Sequence, residues 1–191
     1  MDATPSAADL CRACGLCCNG VLFHTVRLQP RDSAKALAAL GLKLKRKKGA
    51  HDLLQPCPAW QCGQCSIYTA RPERCRLFEC QQLQRVAGGA ITAGQALSRI
   101  REVQSRVADL ETLLGQGGRT DPQRPLSRRY EKILAEPLDI TSPPAAIALR
   151  QALTQAMEAL EVVLNADFRL PPPPTLFPLA DTAAVGDPGT A

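Results

Sequence analysis

The sequence predicts a mainly α fold, in which a small irregular cysteine module with short helices is followed by a helical hairpin and a disordered Pro-rich tail. Three observations carry this reading. All nine cysteines of the 191-residue chain fall between Cys11 and Cys80, a density found in disulfide scaffolds and metal sites. Two later segments repeat apolar residues at alternating steps of three and four, the period of a packed helix face. Near the end stands the run Pro171, Pro172, Pro173, Pro174, which favours polyproline II.

In chain order, residues 1–10 read as a flexible leader and residues 11–90 as the cysteine module. Within the module, VLFHTVRL (21–28) is β-branched and apolar enough for a short strand. Residues 31–41 read as a helix capped by Asp32 or Ser33 and ended by Gly41. Residues 69–86 read as a second helix, with Thr69 as N-cap, Pro72 in the first turn and Gly88-Gly89 closing it. Residues 91–165 hold the hairpin. Ile100, Val103, Val107, Leu110 and Leu114 form one seam, and Leu149, Leu153, Ala156, Leu160 and Val163 the other. Each seam covers only two heptads, which favours packing within the molecule over a free coiled coil. Dimerisation, or a protein partner docking on the hairpin, is the alternative use of such a face. A short helix at 126–135 lies between the seams, and Gly117-Gly118 and Pro143-Pro144 punctuate the connections. Residues 166–191 form the tail, starting as polyproline II and ending in disorder.

The amino-terminal MDATPSAADL has neither a basic nor an apolar signal region. No stretch reaches 18 apolar residues, so no transmembrane helix and no membrane association are expected. A cytoplasmic location follows, where thiols stay reduced. The odd cysteine count also disfavours a closed disulfide set. Metal binding is therefore the expected use of the thiols, and a metal-stapled module the expected architecture. Charge is uneven: residues 1–90 carry 13 Lys and Arg against 6 Asp and Glu, whereas residues 91–191 carry 10 against 12. A basic half invites a nucleic-acid reading. Eight thiolates with two zinc ions carry about −4, however, and absorb much of that excess. The basic run Lys43, Lys45, Arg46, Lys47, Lys48 has no interleaved aromatics and reads as a solvated loop. Nucleic acid is accordingly an unlikely partner. His24 and His51 are not needed as ligands beside so many thiols.

The first cysteine element is Cys11-Arg-Ala-Cys14-Gly-Leu-Cys17-Cys18. Cys11 and Cys14 can reach one metal ion across a turn. On a helix, Cys11, Cys14 and Cys18 would instead share a face that Cys17 leaves. Either way, Cys17 and Cys18 are placed to face two ions, or two sides of one cluster. The second element runs Cys57…Cys62-Gly-Gln-Cys65, and the third Cys75-Arg-Leu-Phe-Glu-Cys80. On a single helix Cys75 and Cys80 would stand about 140° apart and about 7.5 Å along the axis. That is too far for one zinc but suits two zinc ions or opposite corners of an iron–sulfur cluster. Arg71, Arg74 and Arg76 flank Cys75 as counter-charges or anion-binding groups. Tyr68 and Phe78 read as a lid over the cluster, and Trp60 as a core residue.

The pattern C-x-x-C-x-x-C-C, followed by Cys65-Ser66-Ile67-Tyr68 and Arg71-Pro72-Glu73-Arg74-Cys75-Arg76-Leu77-Phe78-Glu79-Cys80, resembles the CxxCxxCC (YkgJ-like) cysteine-cluster family, to which zinc or iron chelation is ascribed. The resemblance covers about residues 11–80. It implies Cys11, Cys14, Cys17, Cys18, Cys57, Cys65, Cys75 and Cys80 as metal ligands, and leaves Cys62 as an extra thiol or a substitute for a neighbour. The cofactor is then an iron–sulfur cluster or Zn2+, with a lean to iron–sulfur, in a structural, metal-handling or electron-transfer role. A flagellin lysine methylase carries a similar cluster, which makes a metal-dependent enzyme the alternative; the present chain has no methyl-donor-binding fingerprint. A nucleic-acid-binding zinc module is the further alternative. No phosphate-loop, dinucleotide, zinc-protease or nucleophile-elbow motif occurs.

Overall fold

Capping and chain reversal set the elements before packing does. A computed structural model describes residues 6–138 and 141–171. Helix α1 (Ala7–Cys14) opens on a capping box between Ser6 and Asp9 and stops at Gly15, whose φ of 65° is left-handed. Strand β1 (Thr25–Arg27) leads to helix α2 (Ala34–Ala39), capped by Ser33. A hairpin of β2 (Leu44–Lys47) and β3 (Ala50–Leu54) follows. Lys48 and Gly49 both have positive φ, 49° and 79°, as a primed two-residue turn requires. The three strands form an antiparallel sheet in the order β1-β3-β2, with Val26 and Leu44 both opposite Leu53. A second, minimal hairpin pairs β4 (Trp60–Gln61) with β5 (Gln64–Cys65). A 3-10 turn (Tyr68–Ala70) and the short helices α3 (Glu73–Leu77) and α4 (Gln81–Ala87) complete the module.

Two 24-residue helices, α5 (Ala93–Gln116) and α7 (Pro144–Asp167), form the hairpin, with α6 (Leu126–Leu134) between them. They run antiparallel: Arg99 pairs with Asp167 at one end, and Leu149 lies beside Gly117 at the other. Their seams meet as expected. Ile100, Val103, Leu110 and Leu114 are buried against Leu153, Leu160 and Val163, while Val107, Leu149 and Ala156 pack at the edge.

The described residues hold two apolar cores. The larger joins α5, α6 and α7 to α1 and α4 through Leu10, Leu16 and Cys80. The smaller lies under the three-stranded sheet and consists of Leu37, Leu42, Leu53 and Ala59, with Cys57, Cys65 and Cys75 packed against it. The cysteines thus sit where two cores adjoin.

The mainly α reading holds, with small sheets added. Four expectations change in detail. The helix expected over 69–86 is three pieces, because Arg71 before Pro72 is extended (φ −60°, ψ 146°) and Phe78 is extended again (ψ 124°). A residue before proline is pushed out of the helical region by the proline ring. The basic run is not a loop but largely strand β2, on the edge of the sheet. Residues 7–10 of the expected leader are helical, and Leu10 is 1% exposed in the core. The expected tail begins inside α7, and Phe168 is wholly buried. Residues 1–5 and 172–191, the remainder of leader and tail, lie outside the described residues.

Candidate metal centre

Each cysteine block is held by its own backbone. Cys11 and Cys14 lie one turn apart on α1. Gly15 ends that helix, and its carbonyl accepts from Cys18 N at 2.8 Å and Asn19 N at 2.9 Å. Cys17 and Cys18 therefore stand in the turn beyond the helix, which rules out the continuous helical face considered above. Gly15 is also a contact point: a Cβ there would lie 2.1 Å from the Trp60 ring. The distant block docks through the main chain, Cys57 N donating to the Cys18 carbonyl at 2.7 Å. Cys62 and Gly63 form the tip of the β4–β5 hairpin with φ of 48° and 75°. This turn presents Cys62 to solvent, while Cys65, opposite Trp60, is half-buried. Cys75 sits in α3, whose Glu73 N–H donates to Asp32 Oδ1 at 2.9 Å. Cys80 is the N-cap of α4 and is buried. Cys75 and Cys80 thus occupy different elements, contrary to the single-helix geometry.

The electrostatics divide the eight thiols into two sets. Burial raises Cys14 to about 12, and Cys80 and Cys11 are the thiols that act on it. Burial pushes Cys17 well up, with further push from Cys14, Cys18, Cys80 and Cys11. Burial likewise raises Cys18, whose strongest thiol neighbours are Cys57, Cys75 and Cys65. Burial raises Cys75 to about 12, with Cys57 and Cys65 adding to it. Burial raises Cys57 too, with Cys65 beside it. One set is Cys11, Cys14, Cys17 and Cys80, and the other is Cys18, Cys57, Cys65 and Cys75. The sets are in contact: Cys11, raised by burial, also feels Cys65, Cys17 feels Cys18, and Cys18 feels Cys11. The adjacent residues Cys17 and Cys18 fall on opposite sides of the division.

Two adjoining cavities lie among the thiols and share Cys11, Cys17 and Cys18. A small one of about 40 Å³ is lined by Cys11, Cys14, Cys17, Cys18 and Cys80. A larger one of about 350 Å³ is lined by Cys11, Cys17, Cys18, Cys65 and Cys75. The thiols line these walls rather than meeting at a point. Among the described residues, no three His, Cys, Asp or Glu side chains form a ready single-ion cage. All nine cysteines are free of disulfides. Buried neutral thiols repel one another little, and binding an ion has to displace their protons.

Arg71 is the chief counter-charge, and it works against burial at both Cys11 and Cys75. Its Nε donates to the Tyr68 carbonyl at 2.9 Å, and its guanidinium lies 3.6 Å from the Tyr68 ring centroid. Phe78 meets Phe23 edge-on at 5.0 Å. Tyr68, Phe78 and Trp60 all line the larger cavity, as do Arg71 and Arg74. His24 bonds Ser127 at 2.6 Å, His51 lies in β3, and neither lines a cavity. Three supporting residues escaped the sequence reading. Gln104 on α5 donates to the Ala13 and Cys14 carbonyls at 2.8 and 3.0 Å, closing the end of α1. Asp32 caps α3. Gln55, 5% exposed, lines the larger cavity. Only long-range contacts reveal Gln104 and Gln55. Asp32 was read as a cap, though for α2.

Residues 10–96 match the model of a family described as "CxxCxxCC: Putative zinc- or iron-chelating domain". The chain is similar to that family over this stretch, a little under half of its length. The matched stretch takes in both cysteine blocks, the two sheets and α4, and ends in the first turn of α5. No curated protein and no solved structure matches the chain. The donor set fits the metals named for the family. It consists of soft sulfur ligands alone, unbridged by disulfides and half-buried or buried, with a guanidinium against them. Among the described residues, no helix is long and apolar enough to cross a membrane.

Proposed function

We propose that this chain is a cytoplasmic metalloprotein that chelates iron, as an iron–sulfur centre, or zinc through eight cysteines. Cys11, Cys14, Cys17 and Cys80 would form one half of the centre, and Cys18, Cys57, Cys65 and Cys75 the other. The observation that carries the reading is the contrast among the cysteines. Eight are buried or half-buried, seven of them lining two adjoining cavities and Cys57 packed against the smaller core, while Cys62 alone is exposed, at a hairpin tip. Bound metal would supply either a structural clamp or one-electron chemistry. The protein's part is to hold the thiols, keep their surroundings dry with Phe23, Phe78 and Trp60, and offset charge with Arg71. The division into two sets of four suits a pair of four-sulfur sites as well as one larger cluster.

Anaerobic purification with metal and sulfide analysis and a visible spectrum tests this. A brown protein with matching iron and sulfide supports the iron–sulfur form. A colourless one with about two zinc ions per chain supports Zn₂Cys₈. A folded, metal-free monomer from both preparations overturns the proposal.

A further inference from the structure

The larger cavity has a side that the thiols do not use. Besides cysteines it is lined by the apolar Phe23, Val26, Trp60 and Phe78 and by Arg12, Arg27, Arg71 and Arg74, but by no Asp or Glu. Its volume of about 350 Å³ is shared with the metal centre on the thiol side, so the remainder suits a ligand at the small end of the usual pocket range. The arginines are unequally committed. Arg71 is held against Tyr68 and the thiols, and Arg27 is paired with Asp52. Arg12 has one ion-pair partner, the exposed i,i+3 Asp9, an arrangement worth little in water, and its guanidinium lies 5.0 Å from the Tyr68 ring centroid. The Arg74 side chain makes no hydrogen bond or ion pair among the described residues. Gln55 is the polar counterpart: 5% exposed, it lines the same cavity, and its side-chain Oε1 is buried without a hydrogen-bond partner. A buried acceptor left unpaired is costly, so native structures satisfy it with protein, water or ligand.

We propose that this cavity binds a small molecule with a carboxylate on a flat apolar body. Arg74 and Arg12 take the carboxylate at the mouth, the aromatic walls hold the body, and Gln55 meets a polar group at the inner end. The inference deepens the metal reading and rests on it in one respect, that the thiol wall is fixed by bound metal. A guanidinium suits a carboxylate because its planar fork can donate two parallel hydrogen bonds. The apolar walls disfavour a bare inorganic anion.

The test uses the full-length protein as purified, with metal content measured on every sample. Benzoate, benzylamine and inorganic phosphate are titrated and followed by calorimetry and ligand-observed NMR. Benzoate is expected to saturate in roughly the millimolar range, as its few heavy atoms allow, with the other two at least about tenfold weaker. Arg74→Gln and Arg12→Gln, both at exposed positions, are each expected to weaken benzoate about five- to tenfold at unchanged metal content. No saturation by benzoate, equal binding of benzylamine or phosphate, or unchanged affinity in both variants overturns the pocket. Full metal content with no benzoate binding overturns the pocket alone. Benzoate binding to a folded protein that is metal-free from both preparations overturns the metal assignment and shows that the pocket forms without it.

Discussion

Gly15 is where the two distant cysteine blocks touch. It must turn left-handed to release Cys17 and Cys18 from α1, and it must lack a side chain because the Trp60 ring fills the space. Gly15→Ala adds backbone strain to a clash, each costing about 1–3 kcal/mol. We expect a loss of about 3 kcal/mol or more in denaturant unfolding of the metal-loaded protein, with metal released early in the transition. The cysteines divide by direction as well as by sequence. Cys62→Ser should retain full metal, whereas Cys75→Ser and Cys80→Ser should each lose about half of it if two four-sulfur sites are present. Equal loss in Cys62→Ser, read by metal analysis, would contradict the assignment of Cys62 as the outward thiol. The eight cysteines proposed as ligands could be picked out in the sequence because their spacing resembles a known pattern. Their division could not, because it depends on where the chain turns at Gly15 and Phe78.

At the scale of elements, the long helices were the most legible, since their seams bury side chains at helical spacing over about four turns each. The β2–β3 hairpin was not read, because Leu44-Lys45-Arg46-Lys47 shows no apolar alternation. An edge strand facing water need not alternate, and its lysines discourage pairing with another chain. Lys48-Gly49 was the available turn signal. The break at Arg71-Pro72 was also available from the pre-proline rule, whereas the break at Phe78 has no local sign and follows from Cys80 being drawn into the larger core. The module and the hairpin meet at Asp167, which accepts from Arg85 at 2.8 Å and from Arg99 at 2.5 Å. Burial alone would raise the Asp167 carboxyl, but hydrogen bonds and charge from Arg99 and Arg85 outweigh it and hold the carboxyl below its usual value. A carboxyl lowered on folding stabilises above its unfolded pKa, about 3.9. That contribution fades as pH falls through the folded value. Thermal melts should therefore show Asp167→Asn destabilising at pH 7 and converging on the wild type toward pH 3.

For the whole molecule, the two cores predict unequal dependence on metal. The smaller core holds four apolar residues and leans on Cys57, Cys65 and Cys75, too little to offset the entropy of ordering that part of the chain. The α5–α7 core is dry and extended along both helices. Strong chelation should therefore loosen residues 18–80 while most of the helical signal remains. Hydrogen exchange is expected to lose protection in the sheets and α3 first and in α5 and α7 last. Simultaneous loss throughout would show that the hairpin also depends on the centre. The position of Trp60 has an optical consequence. It is the single tryptophan of the chain, set against Gly15 and opposite Cys65, so the protein carries its own lamp beside the thiols. An iron–sulfur chromophore absorbs where indole emits and would darken it, while closed-shell zinc would leave it bright. Emission recorded during anaerobic reconstitution with each metal then reports which has entered, and when, without any label.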